Sequence, residues 1–210
     1  MDKVPAKDGD KFRTQAESGG HIGSSVVRRR GSAGPVLPLW LVHAFVTSRV
    51  DYCNAIIARA SKYITDKLQR VINAAARVVS DSRKYDRGLT SLLHDKLYWL
   101  DVPERVQYKL CATVHGPPMS AVQSAPQYMI DCCVYPSDIA RRQHLRSVGW
   151  RQLLVPRHRR SIFGRRAFSV ASPAAWNSLP DYLRDPTRSV DSFRCDLKTS
   201  FLVLLAYTVH

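Results

Sequence analysis

The stretch "ITDKLQRVINAAARVV", residues 64–79, decides the fold class. Ile64, Leu68, Val71, Ile72, Ala75, Val78 and Val79 recur at intervals of three and four, the spacing that lines one face of an α-helix. Lys67, Arg70 and Arg77 fall on the other face. The pattern predicts an amphipathic helix that buries Leu68, Val71, Ile72 and Ala75 and shows Lys67 and Arg70 to solvent.

The same periodicity extends outward. Upstream, Leu39, Val42, Val46, Val50, Cys53 and Ile57 read as a helix from Leu39 to about Ala60. Ser61-Lys62-Tyr63 links it to the first, so the two are expected to form a helical hairpin. Downstream, "SRKYDRG" (82–88) breaks the pattern and "LTSLLHDKLYWL" (89–100) suggests a short helix. Pro103 suits a first helical position, and Val106, Leu110 and Val114 carry that helix to about His115, where Gly116-Pro117-Pro118 stops it. "APQYMIDCCV" (125–134) suggests one more short helix, and "AFSVASPAAW" (167–176) another with Pro173 as a kink or restart. At the end, Ser189 is a candidate N-cap, with Val190, Phe193, Leu197, Phe201, Leu204 and Leu205 on one face. The expected fold is mainly α: a helical hairpin, short helices, a small basic β-hairpin or irregular segment, and a C-terminal helix.

Two regions depart from this rhythm. Residues 1–36, rich in Gly, Ser, Lys, Arg and Asp, show no periodicity and read as a disordered or leader segment, with Arg28-Arg29-Arg30 as a solvated charge run. Residues 139–180 contain no acid, and within them Arg141–Arg166 holds nine arginines. "WRQLLVP" (150–156) and "RSIFGRR" (160–166) are short β-like runs around a basic turn, the candidate hairpin.

The 210 residues suffice for one domain with a tail, and 45% hydrophobic content is ordinary for a globular chain. The formal charge of +15 is not ordinary and points to a polyanionic partner, nucleic acid or an anionic membrane surface. The opening "MDKVPAKDGDKFRTQ" lacks the apolar core of a secretory signal, and no run reaches membrane-spanning length. Five cysteines without a scaffold-like spacing favour a reduced intracellular setting, nucleus or cytoplasm, with Cys53, Cys111 and Cys195 as small core residues.

Phosphate contacts need exposed Arg or Lys, and nearby aromatic rings can stack on unpaired bases. The arginine-rich segment meets both needs, so Arg141, Arg142, Arg146, Trp150, Arg151, Arg157, Arg159, Arg160, Arg165 and Arg166 are the candidate nucleic-acid contacts, with Phe163 alongside. The expected partner is RNA or DNA, held through its phosphates without sequence preference. Cys132-Cys133 with His144 and His158 gather soft ligands, but zinc sites favour cysteines two to four residues apart, so no metal is assigned. No Gly-x-Ser-x-Gly elbow or cysteine-protease motif occurs, and no cofactor or small-molecule substrate is implied. The terminal apolar stripe is expected to pack on a neighbouring helix, not on a membrane.

Six blocks, taken together, carry a resemblance. "LVHAFVTSRVDYCNAII" (41–57), "DKLQRVINAAARVV" (66–79), "LYWLDVPERVQYKL" (97–110), "APQYM" (125–129), "FGRRAFSVASPAAWNSLPDYLR" (163–184) and "SVDSFRCDLKTSFL" (189–202) follow in this order. They resemble the C-terminal part of a LINE-type, non-LTR retrotransposon reverse transcriptase, the region after the polymerase palm. The resemblance implies a helical domain of that kind over 37–210. Residue types add that Trp176 and Leu179 should anchor the fifth block on the core, Pro180 should end it, and its flanking arginines should stay near the surface.

The chain also departs from that family. Polymerase chemistry there needs palm carboxylates, including an aromatic-x-Asp-Asp turn, to hold two divalent metals. No Asp-Asp pair occurs in this sequence, whose acids, such as Asp51, Asp66 and Asp95, stand singly. Residues 116–124, "GPPMSAVQS", are looser than the family pattern. The expectation is therefore a catalytically inactive, reverse-transcriptase-derived fragment that binds RNA or DNA non-specifically, not an enzyme. The alternative is a structural or protein-interaction remnant, or an unselected reading frame, with no nucleic-acid function.

Overall fold

Helix α1 (39–51) starts after Pro38 and runs through α-helical, π-helical and α-helical turns without interruption. The computed structural model describes residues 38–52, 54–116, 126–140, 151–159, 164–185 and 187–208. The expected helix to Ala60 stops at Asp51, and a 3₁₀ turn follows over Asn54–Ile57. Tertiary contacts override the local periodicity here. Arg105 donates to both carboxylate oxygens of Asp51 (3.0 and 2.8 Å), and the Asn54 amide donates to the Arg105 carbonyl (3.4 Å).

Helix α2 (Lys62–Ser80) is the helix that decided the reading. It buries Ile72, Ala75 and Ala76 and half-buries Leu68 and Val79, with Lys67 and Arg70 exposed. Val71 and Val78 are corrections: they are 46% and 44% exposed. At 3.6 residues per turn, residues 68, 72, 75, 76 and 79 define the stripe, and 71 and 78 sit about a quarter turn from its centre. Val42 of α1 joins Ile72, Ala75 and Ala76 in one core cluster, so the two helices pack together as the hairpin reading expected. Asp81, at φ +51°, ends α2 in the left-handed region that Asp tolerates.

Helix α3 (89–96) adds Leu93 to that cluster, and Trp99 and Val102 close it. Helix α4 (Val102–His115) has Pro103 at its second position. Gln69 of α2 supplies its N-terminal contacts: Val102 N–H donates to Gln69 Oε1 and Gln69 Nε2 donates to Asp101 Oδ1, both at 2.8 Å. One otherwise orphan donor of the first turn is thereby satisfied from a neighbouring helix.

Helix α5 (Gln127–Ile130) is a single turn; α6 (Phe168–Asn177) contains Pro173; α7 (Val190–Thr208) ends the fold. Ser189 caps α7, its hydroxyl accepting the Ser192 N–H at 3.2 Å. Phe193, Leu197 and Phe201 bury one face of α7 against Trp176, Leu179, Leu183 and Val114. Leu204, expected on that face, is 55% exposed, whereas the neighbouring Leu205 is half-buried against the core.

Trp176 and Leu179 are buried as anchors. Arg184 corrects the expectation that the arginines flanking this block stay at the surface: it is buried, donates to the Asn177 carbonyl at 3.2 Å and pairs with Asp181. Cys111 is a core residue, but Cys195 is exposed, on the face of α7 opposite its buried stripe; Cys53 lies outside the described residues. No strand occurs among the described residues, and 151–159 is irregular; residues 150 and 160–163 of the candidate hairpin lie outside the described residues. No helix among them is long and apolar enough to cross a membrane.

Candidate nucleic-acid interface

The arginine-rich segment enters the described region at Arg151, whose φ is +51°. A non-glycine residue keeps that conformation only where its surroundings hold it. Here Trp176 Nε1 donates to the Arg151 carbonyl at 3.0 Å, and the Arg151 guanidinium pairs with Asp185 at 2.6 Å. Next, Leu153 N–H donates to Asn177 Oδ1 at 2.7 Å while Asn177 Nδ2 donates to the Leu153 carbonyl at 2.8 Å. Leu154 N–H donates to the Val134 carbonyl at 2.8 Å. The Leu153 side chain is buried in the main core. Residues 151–154 are therefore fastened at four backbone points and two side chains.

Beyond Leu154 the chain comes to the surface. Val155, Pro156, Arg157, His158 and Arg159 are all exposed. Gly164 then opens a 3₁₀ turn, Gly164–Arg166, that leads into α6. A Cβ placed on Gly164 would stand 2.9 Å from His158 Cβ, so only glycine permits this approach. The consequence is electrostatic. Through the contact of His158 with Gly164, the segment that carries Arg157 and Arg159 meets the turn that carries Arg165 and Arg166, although six residues or more separate the two groups in sequence.

Arg157, Arg159 and Arg165 are exposed and, among the described residues, pair with no acid. Arg166 is half-buried, its Nε enclosed without a partner. Arg151 differs, because Asp185 already neutralises much of its charge. The Asp185 carboxyl is held below its ordinary value chiefly by hydrogen bonds from Thr187, then by Arg151. Arg141, Arg142, Arg146, Trp150, Arg160 and Phe163 lie outside the described residues, as does His144. Among the described residues no group of three His, Cys, Asp or Glu side chains is placed to hold a metal ion.

What the arrangement can do follows from its parts. Three exposed guanidinium groups, on Arg157, Arg159 and Arg165, make a local positive field that phosphate oxygens can enter without breaking an internal ion pair. Gly164 and Asn177 were not singled out in the sequence. A lone glycine inside the β-like run "RSIFGRR" is a signal of close backbone approach; Asn177 carried no comparable mark. No family model, curated protein or solved structure matches the chain.

Proposed function

We propose that this protein is a catalytically inactive derivative of a non-LTR retrotransposon reverse transcriptase that binds RNA or DNA non-specifically through the loop 157–166. The observation that carries this reading is the contact of His158 with Gly164, where two segments bearing the exposed Arg157, Arg159 and Arg165 meet, none of the three paired with an acid among the described residues. The six ordered sequence blocks support the ancestry, and these 210 residues hold no Asp-Asp pair that could bind the polymerase metals.

The test is fluorescence anisotropy with labelled single-stranded and duplex 20-mers of two unrelated sequences, at about 50 and about 200 mM salt. Affinity should fall steeply with salt, with a log–log slope of about −0.7 to −0.9 per phosphate contact. Replacing Arg157, Arg159 and Arg165 together by Ala should weaken all sequences alike and flatten the slope. Salt-insensitive binding, or a triple variant that binds like the parent, would remove the loop from the function.

A second reading, a protein-interaction remnant, draws on a different observation. Trp40, Phe45, Tyr52, Ile56 and Tyr63 are each at least 66% exposed on the N-terminal helical hairpin and the link between its helices.

A further inference from the structure

We propose that a cavity between α1, the segment following α3, and α4 is a binding site for an unpaired nucleotide. This site goes beyond the arginine loop and does not depend on it. On α4, Arg105, Tyr108 and Lys109 line the cavity, whereas Val106, Gln107 and Leu110 face Ala171 and Ala175 of α6. At 100° per residue these two sets occupy opposite faces of the helix.

The cavity measures about 360 Å³, within the range of small-molecule sites. Its walls combine aromatic rings with free cations. Tyr98, Trp99 and Tyr108 supply rings, and Lys109 and Lys198 supply ammonium groups. Both lysines are exposed and, among the described residues, neither pairs with an acid. The one carboxylate in the wall, Asp51, is committed: Arg105 grips both its oxygens. Arg105 is itself fixed, with Nε donating to the Leu100 carbonyl at 2.7 Å and its guanidinium 5.8 Å from the Trp99 ring centre. The Asp51–Arg105 pair thus cancels, and the two lysines leave the cavity positive. Rings for a base and ammonium groups for a phosphate define a nucleoside phosphate as the ligand class.

Tyr98 adds an independent observation. Its φ is +52°, just past α3, at a position where glycine is customary. A bulky side chain in that conformation is strained, and such strain collects at ligand clamps. The Trp99 N–H donates to the Leu93 carbonyl at 2.8 Å, which fixes the turn around it. The Tyr98 ring is not a packing element, since it is 60% exposed while it lines the cavity. Glycine would adopt this conformation without strain. The tyrosine is explained if its ring stacks on a base.

The experiment titrates the full chain with AMP, with the single strand d(A)6 and with inorganic phosphate, by calorimetry, alongside Tyr98→Gly and Lys109→Ala/Lys198→Ala. AMP should bind at least tenfold more tightly than phosphate. Tyr98→Gly should weaken AMP by about fivefold or more, the loss expected for one base stack. The same variant should raise the thermal midpoint by about 2 °C or more, because the left-handed strain is relieved. Lys109→Ala/Lys198→Ala should weaken AMP without lowering the midpoint. If d(A)6 alone responds to these variants, the nucleotide belongs to a strand; if AMP responds too, a free mononucleotide suffices. The Tyr98→Gly effect on AMP should persist when Arg157, Arg159 and Arg165 are all replaced by Ala, so failure of the arginine segment and failure of this site are read separately. Equal affinity for AMP and phosphate, with d(A)6 binding untouched by the cavity variants, would overturn the proposal. So would AMP and d(A)6 binding that both ignore the cavity variants, or a Tyr98→Gly chain that loses stability and affinity together.

Discussion

Asn177 and Leu153 are joined by two hydrogen bonds, from Leu153 N–H to Asn177 Oδ1 (2.7 Å) and from Asn177 Nδ2 to the Leu153 carbonyl (2.8 Å). The amide of Asn177 thus presents a donor and an acceptor together, as a neighbouring strand would. This pairing gives a segment without secondary structure a fixed course, and through it the arginine loop a fixed origin.

Asn177→Ala should therefore cost about 2–4 kcal/mol, for two part-buried backbone groups left without partners. Equilibrium urea unfolding measures the loss. Limited trypsin digestion under native conditions should show faster cleavage after Arg157 and Arg159, since the loop loses its fastening. Asn177→Asp keeps the acceptor and loses the donor, and should fall between parent and alanine variant. A wild-type digestion pattern in both variants would show that the loop is held by other contacts.

Gly164→Ala tests the approach that gathers the arginines. The added methyl would lie 2.9 Å from His158 Cβ, an atom next to the backbone that cannot swing aside. The loop must open, which should cost about 1–3 kcal/mol. Nucleic-acid affinity should fall although no charge has been removed. Gly164→Ala combined with His158→Gly should restore much of the affinity, because the clash is gone; no recovery would mean that the glycine acts otherwise.

Helix α2 separates what the sequence shows from what it hides. The stripe spacing located the helix, and Ile72 and Ala75 are core residues as the pattern required. Val71 is not, because periodicity identifies a face but not its width, and the partners on α1 and α3 cover only its centre. Ile72→Ala should cost about 2–5 kcal/mol. Leu68→Ala should cost less, since Leu68 is only half-buried, and Val71→Ala should stay within about 0.5 kcal/mol. Chemical unfolding of the three variants would rank them, and equal losses at 71 and 72 would mean that the exposed edge of α2 is covered.

The same limit applies to the candidate site. Charge density along the chain marked residues 141–166, and exposure of Arg157, Arg159 and Arg165 agrees with that signal. Arg151 and Arg184 show what composition omits, since their acid partners, Asp185 and Asp181, are found only by folding or by the turn of a 3₁₀ helix. The cavity residues Tyr98, Lys109 and Lys198 come from three separate elements, and no sequence window contains them together. The strain at Tyr98 is likewise a backbone property, silent in the sequence until the turn after α3 is drawn.

His115 gives the fold a pH dependence. It is buried, its ring stacks on Phe193 at 3.9 Å between centroids, and its Nδ1 has no partner. Burial holds its pKa below the ordinary 6.5, against the opposing pull of the Arg188 carbonyl that lies 3.2 Å from Nε2. Above pH 6.5 the ring is neutral in both folded and unfolded chains, so stability is full there. As pH falls below 6.5 the unfolded chain takes up a proton that the folded chain refuses, and stability declines until the lower folded value is reached. Glu104 works in the opposite sense at lower pH. Burial raises its carboxyl above 4.5, so the folded chain binds the proton first and stability recovers as pH drops through that range. Unfolding free energy measured by urea titration from pH 7.5 to 5 should therefore decline below about 6.5. His115→Gln, which cannot ionise, should remove that decline whatever its effect on stability at pH 7.5. A variant that keeps the parent's slope would assign the titration to another group.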